Sequence, residues 1–212
     1  MIIAVDGPSG VGKGTLARAL AARYGLAFLE TGLLYRQVAL RVLEMGGNPE
    51  NQADAVKAVH EINLTITHDP KLRTEDVSRA ASQVAIHPEV RELLFQLQRD
   101  FAKNYAPPYK GAVLDGRDIG TVILPDADKK IYLTAHTEVR AERRFEELKA
   151  KGNVGGNSVT FDQVLADIKA RDKRDQTRLH NPLRPAADAF VLDTSYLSRE
   201  EVLENAISYI EK

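Results

Sequence analysis

Nine residues near the start constrain this chain more than any other stretch. Residues 7–15 read GPSGVGKGT and follow directly on the apolar run Ile2–Val5 and Asp6. An apolar-periodic stretch, Leu16–Tyr24, comes next. The order is strand, anion-binding loop, helix. Gly7, Gly10 and Gly12 let the backbone turn its N–H groups inward, and the first turn of the helix adds its own unpaired N–H groups. Pro8, Ser9, Val11 and Gly14 complete the loop. Lys13 stands where an ammonium reaches between phosphates. The common pattern has Ser or Thr directly after the lysine. Here the hydroxyl comes one place later, at Thr15.

The rest of the chain reads as an α/β fold. Strands are expected at 2–5, 26–29, 111–115, 130–134 and 189–193, each short and apolar, with helices between them. Such strands form a parallel sheet whose ligands gather at the carboxyl ends. Asp6, Glu30, Asp115, Thr134 and Asp193 fall near those ends. Helices are expected at 15–24, 33–45, 51–61, 75–86, 88–104, 137–151 and 161–176, with a final one after Ser198. Thr74 is a candidate cap, and Thr160 with Gln163 and Ser198 with Glu201 are capping boxes. Residues 62–67 alternate as a small strand would, and 152–159 is a Gly- and Asn-rich loop between two helices.

Composition narrows the function. With 212 residues the chain buries a sizeable core unaided. It holds 29 basic and 30 acidic residues, a formal net charge of -1, which argues against a bulk nucleic-acid binder. There is no cysteine, and the five histidines lack metal-site spacing. No apolar run is long enough for a signal peptide or a membrane span, so a cytoplasmic protein, monomeric and bound to neither nucleic acid nor membrane, is expected.

Several polar residues stand out. Thr15 and Asp115 are candidates to hold Mg²⁺, directly or through water. The turn Asp115-Gly116-Arg117-Asp118 follows a buried strand; Arg117 suits a phosphate, and Asp118 suits an amino group. Arg36 lies near a helix start, where a bound anion is a reason for a cation. Arg171, Arg174 and Arg178 share a helical face, with Asp175 beside them, and Arg140, Arg143 and Arg144 cluster on the preceding helix. A hairpin bringing both sets over the phosphates is expected. No general base stands out, and an acceptor that already carries an anionic phosphate needs none.

These stretches resemble the bacterial cytidylate kinase family, within the P-loop nucleoside monophosphate kinases. The resemblance is carried by GPSGVGKGT at 7–15, TGLLYR at 31–36, AASQVA at 80–85, PEVR at 88–91 and LDGRDIGTVILPDA at 114–127. KIYLTA at 130–135, IKARDKRDQTR at 168–178 and AADAFVLDTSYLS at 186–198 extend it over nearly the whole chain. It implies one kinase unit over 1–212: a core of 1–35, 87–150 and 176–212, a monophosphate-binding region at 36–86, and a lid at 151–175. It implies ATP as donor, CMP or dCMP as acceptor, and Mg²⁺. Lys13, the loop amides and Arg144 would hold ATP; Arg36, Arg117 and Arg178 would grip the acceptor phosphate. Thr31, Ser82, Arg91 and Asp118 would meet the acceptor nucleoside, and Arg171 and Asp175 its ribose. Relatives of this kind usually carry a longer, three-stranded insert before AASQVA, so the insert here is expected to be reduced and mostly helical. Rival readings are a kinase for UMP, AMP or shikimate, and a nucleotide-dependent regulatory module. The base-reading motif of a GTPase switch is missing from its expected context.

Overall fold

The computed structural model describes residues 1–62, 69–150 and 159–212. Residues 63–67 of the expected strand at 62–67 and residues 152–158 of the glycine-rich loop lie outside the described residues.

Five parallel strands form one sheet: β1 (Ile2–Asp6), β2 (Ala27–Glu30), β3 (Ala112–Gly116), β4 (Lys129–Thr134) and β5 (Phe190–Asp193). Their order is β2-β3-β1-β4-β5. Ile3, Ala4 and Val5 of β1 and Val113 and Leu114 of β3 are fully buried, because both sheet faces are covered and each strand is apolar on both sides. Asp6, Glu30, Thr134 and Asp193 each end a strand, and Asp115 is next to last in β3.

Helices α1 (Lys13–Tyr24) and α8 (Arg199–Ile210) pack on one face, with Leu16, Leu20 and Ala206 against Ile3, Val5, Ile131 and Leu133. Ala102 of α5 (Pro88–Lys103) and Ile119 pack on the other, against Ala4 and Leu114. Helices α2 (Thr31–Glu44), α3 (Gln52–Val59) and α4 (Glu75–Val84) join α5 in a second core around Val38, Val77, Val84 and Leu94. Helices α6 (Thr137–Ala150) and α7 (Phe161–Thr177) form a hairpin with a small core of Ala141, Leu148, Val164 and Ile168.

The caps fall where the sequence places them. The Thr74 side chain accepts from Val77 N–H, and both capping boxes form. Two local features escape the sequence patterns. A single 3₁₀ turn, Pro70–Arg73, precedes α4, and a π-helical turn, Ile119–Ile123, follows β3. The latter follows directly on the expected turn at Asp115–Asp118. Ile123 and Leu124 N–H donate five residues back, to the Asp118 and Ile119 carbonyls, and Asp6 caps the turn by accepting from the Ile119 and Gly120 amides. Helix α1 begins at Lys13 rather than at Thr15, since Gly12 in the left-handed region already ends the loop. Among the described residues, no helix is long and apolar enough to cross a membrane.

Candidate active site

The loop 7–12 leaves the end of β1 at the middle of the sheet. Gly7 must be glycine: its φ is 147°, and a Cβ there would stand 2.2 Å from the Leu133 carbonyl oxygen of β4. Lys13 is 8 % exposed and donates to the Pro8 carbonyl at 2.7 Å, folding the loop around its own ammonium. Burial, together with the Arg117 and Arg171 charges, holds that ammonium's pKa well below the usual lysine range.

The loop opens on a cavity of about 260 Å³. It is lined by Ser9, Gly10, Gly12, Lys13, Gly14 and Thr15 on the donor side. Arg36, Ser78, Asp115, Arg117, Arg144 and Arg171 line much of the remainder, together with Arg18, Arg73, Glu30 and Glu147. Seven cationic side chains against three carboxylates around one cavity suit a polyanion. Burial lowers the Arg171 pKa to about 9 and that of Arg36 to about 10. Both shifts express the cost of holding guanidinium groups out of water beside other cations.

Arg36 and Arg171 meet on one hydroxyl. Arg36 Nη2 donates to Ser78 Oγ at 3.1 Å, and Arg171 Nη1 donates to it at 3.0 Å. Ser78 escaped the sequence reading, although it lies one helical turn before Ser82 on α4 and so shares its face. Arg117 Nε donates to Asp175 Oδ2 at 2.8 Å across the cleft.

Asp115 reaches the same cavity from β3. Burial pushes its carboxyl up to about 7, against the pull of Lys13. Thr31 Oγ1 donates to the Asp115 carbonyl at 2.7 Å, which ties α2 to β3. Gly116 permits this approach, because a Cβ there would stand 2.7 Å from Thr31 Oγ1.

A second cluster lies behind the first. Arg91 Nη2 donates to Asp118 Oδ2 at 2.5 Å, and Arg178 Nη2 is 3.5 Å from Asp118 Oδ1. The three side chains are 6 %, 8 % and 4 % exposed. Arg91 Nε and Arg178 Nη2 are buried and have no hydrogen-bond partner, as is Arg171 Nε. Orphaned buried donors of this kind are costly, so each is explained best by an acceptor that arrives with a ligand. Ser82 sits on the cleft side of α4, accepting from Arg174 Nε at 3.1 Å.

The expected grouping of arginines over the phosphates holds only in part. Of the three on α6, Arg144 alone lines the cavity, where it pairs with Glu75 of α4. Arg143 turns away to the Thr194 carbonyl, and Arg140 is locked in a buried pair with Asp172. Helical spacing placed them together. Their fates differ because β5 and α7 approach α6 from different sides.

The family profile described as cytidylate kinase matches residues 3–212. The chain belongs to the cytidylate kinase family. It is therefore a P-loop nucleoside monophosphate kinase, an enzyme that transfers a phosphoryl group. A cytidylate kinase of Caulobacter sp. is 47 % identical over 210 residues, covering 99 % of this chain and 94 % of the relative. One of Methylocella silvestris is 48 % identical over 211 residues, covering 100 % and 94 %. One of Mannheimia succiniciproducens is 44 % identical over 224 residues, covering 99 % and 96 %. That last span exceeds the 212 residues of this chain, so this relative carries extra residues within it. The first two spans leave no room for a long insertion, so a compact form is not peculiar to this chain. Among solved structures, an uncharacterised protein of Eubacterium ventriosum shares the fold at a TM-score of 0.54 and 19 % identity, covering 100 % of this chain and 98 % of that one.

Proposed function

We propose that the chain transfers the γ-phosphoryl group of ATP to CMP or dCMP, giving ADP with CDP or dCDP. The observation that carries the acceptor is the buried Arg91–Asp118–Arg178 cluster, in which Arg178 Nη2 is ion-paired but not hydrogen-bonded and Arg91 Nε has no hydrogen-bond partner. Asp118 accepts from an exocyclic amino group while Arg91 donates to the ring edge, which suits cytosine and leaves uracil with a mismatched edge. Arg178, Arg117 and Arg36 reach the acceptor phosphate, and Arg171 and Asp175 meet the ribose. Thr31 and Ser82 border that half of the site.

On the donor side, the amides of residues 7–15 and Lys13 hold the ATP phosphates, joined by Arg144. An anionic phosphate oxygen of the acceptor attacks the γ-phosphorus in line as the bond to the β-phosphate oxygen breaks. The arginines and Lys13 neutralise the equatorial oxygens, and no proton need be removed. Thr15 and Asp115 offer a hydroxyl and a carboxylate at one wall of the cavity, the hard oxygen donors that Mg²⁺ takes alongside phosphate and water. That ion would supply further charge neutralisation between the phosphates.

In this reading 1–35, 87–150 and 176–212 are the core, 36–86 binds the monophosphate, and 151–175 is a lid. The enzyme works as a monomer in the cytoplasm on small nucleotides, with neither nucleic acid nor membrane as partner.

Coupled ADP release with ATP and each monophosphate in turn tests the assignment. CMP and dCMP should give the highest kcat/KM. Equal or faster turnover with UMP or AMP overturns it.

A further inference from the structure

Arg140 is the most completely satisfied cation among the described residues, and the proposed chemistry leaves it unused. It is 3 % exposed. All five of its N–H groups have acceptors. Nε donates to the Ala135 carbonyl at 3.0 Å. Nη1 donates to the Ser9 carbonyl at 3.1 Å and to Asp172 Oδ1 at 3.1 Å. Nη2 donates to Thr137 Oγ1 at 3.0 Å and to Asp172 Oδ2 at 2.6 Å. Arg140 therefore has no donor left for a phosphate.

Its partners lie on three separate pieces of the site. Ser9 belongs to the phosphate-binding loop, Thr137 opens α6, and Asp172 sits on α7. The next loop residue, Gly10, rests against the same residue: a Cβ there would stand 3.3 Å from the Arg140 carbonyl oxygen. On α7, Asp172 is flanked by Arg171, which faces the cavity, and by Asp175, which anchors Arg117. A buried ion pair contributes little net stability compared with apolar side chains of the same volume. Its rigid, bidentate geometry is what an apolar pair cannot supply.

We propose that Arg140 is a positioning residue for phosphoryl transfer: through the Ser9 carbonyl and the Asp172 carboxylate it sets the distance between the phosphate-binding loop and the α7 side chains that meet the acceptor. Donor and acceptor must be held in line within a few tenths of an ångström, and misplacement from a distance lowers the rate steeply. The inference rests on the kinase reading above. Wild-type turnover with CMP tests that reading, and the ratio of variant to wild type tests this one.

The experiment compares Arg140→Lys, Asp172→Asn and the double variant, measuring kcat, both KM values and the melting temperature. Lysine keeps the charge but loses the fork, and asparagine keeps the shape of Asp172 but loses its charge. Each single variant should lower kcat by about 10- to 100-fold at a temperature where it is fully folded, and the double variant should be no worse than the poorer single one. Folded variants whose kcat and KM values stay within about twofold of wild type would show a purely structural pair and overturn the proposal. Loss of rate in Arg140→Lys with none in Asp172→Asn also overturns it, since that assigns Arg140 to the donor alone. If Arg140→Lys does not fold, Asp172→Asn decides by itself, because it leaves the Ser9, Ala135 and Thr137 bonds in place.

Discussion

Asp6 brings an ionisable carboxyl into the centre of the sheet, 5 % exposed, at the junction of two functional loops. It ends β1 just before the phosphate-binding loop, and it accepts from Ile119 and Gly120 N–H at 2.8 and 2.7 Å. Those amides follow Asp118 directly, so one carboxylate ties the donor loop to the proposed base-reading turn. Burial pushes its pKa up to about 6, against the pull of the two amides. The folded state thus holds the proton more tightly than the unfolded chain. Its contribution to stability is present at low pH and is lost as pH rises towards and through 6. Relative to Asp6→Asn, the wild type should therefore lose about 1–2 kcal/mol between pH 5 and pH 7.5 in urea melts. A constant difference across that range would refute the shift. Asp118 is the residue-scale test of acceptor choice. Asp118→Asn should raise the KM for CMP about tenfold with little change in the KM for ATP. The asparagine keeps a carbonyl for Arg91, whereas alanine would strand that buried guanidinium. Lys13→Ala should lower kcat about 100-fold with every acceptor, read in the same coupled assay.

At the scale of elements, helix termini and helix faces carry most of the information. Ser198 and Glu201 exchange hydrogen bonds at the start of α8, with Glu201 N–H donating to Ser198 Oγ at 3.1 Å. Ser198→Ala should cost about 1 kcal/mol of stability in thermal or urea unfolding, while kcat stays unchanged because no α8 residue lines the cavity. A lost activity would mean that α8 reaches the site. Helix α4 is legible in the same way, from the Thr74 cap to its buried Val77, Ala81 and Val84. Its other face presents Glu75, Ser78 and Ser82 to the cleft. Periodicity finds both faces but cannot say which cation meets which hydroxyl. Local patterns also pass over the π-helical turn Ile119–Ile123. The carboxylate that caps it lies more than 110 residues earlier in the chain.

Across the whole molecule, strand order sets the geometry of the cleft. With β1 between β3 and β4, the phosphate-binding loop stands beside the turn after β3, and α4 faces the α6–α7 hairpin over the cavity. Four contacts span that gap: Arg144 to Glu75, Arg171 to Ser78, Arg174 to Ser82, and Arg79 to Asp167 at 3.5 Å. In the proposed reading Glu75 competes with the donor phosphates for Arg144. Glu75→Gln should lower the KM for ATP severalfold, and an unchanged KM would remove Arg144 from the donor site.

By itself the sequence determined the class of the molecule. The spacing from Gly7 to Thr15 dictates a phosphate loop, and short doubly apolar strands dictate a parallel sheet. The caps at Thr74, Thr160 and Ser198 dictate where helices begin. These are local effects, set by residues within a turn or two of one another. Tertiary structure alone decided how the arginines are shared out. Arg140, Arg143 and Arg144 look equivalent on one helix, yet Asp172, Thr194 and Glu75 take one each. A guanidinium is satisfied by whichever acceptors the fold brings within reach. Those acceptors come from β5, α4 and α7, whose approach to α6 depends on sheet order and on packing far along the chain.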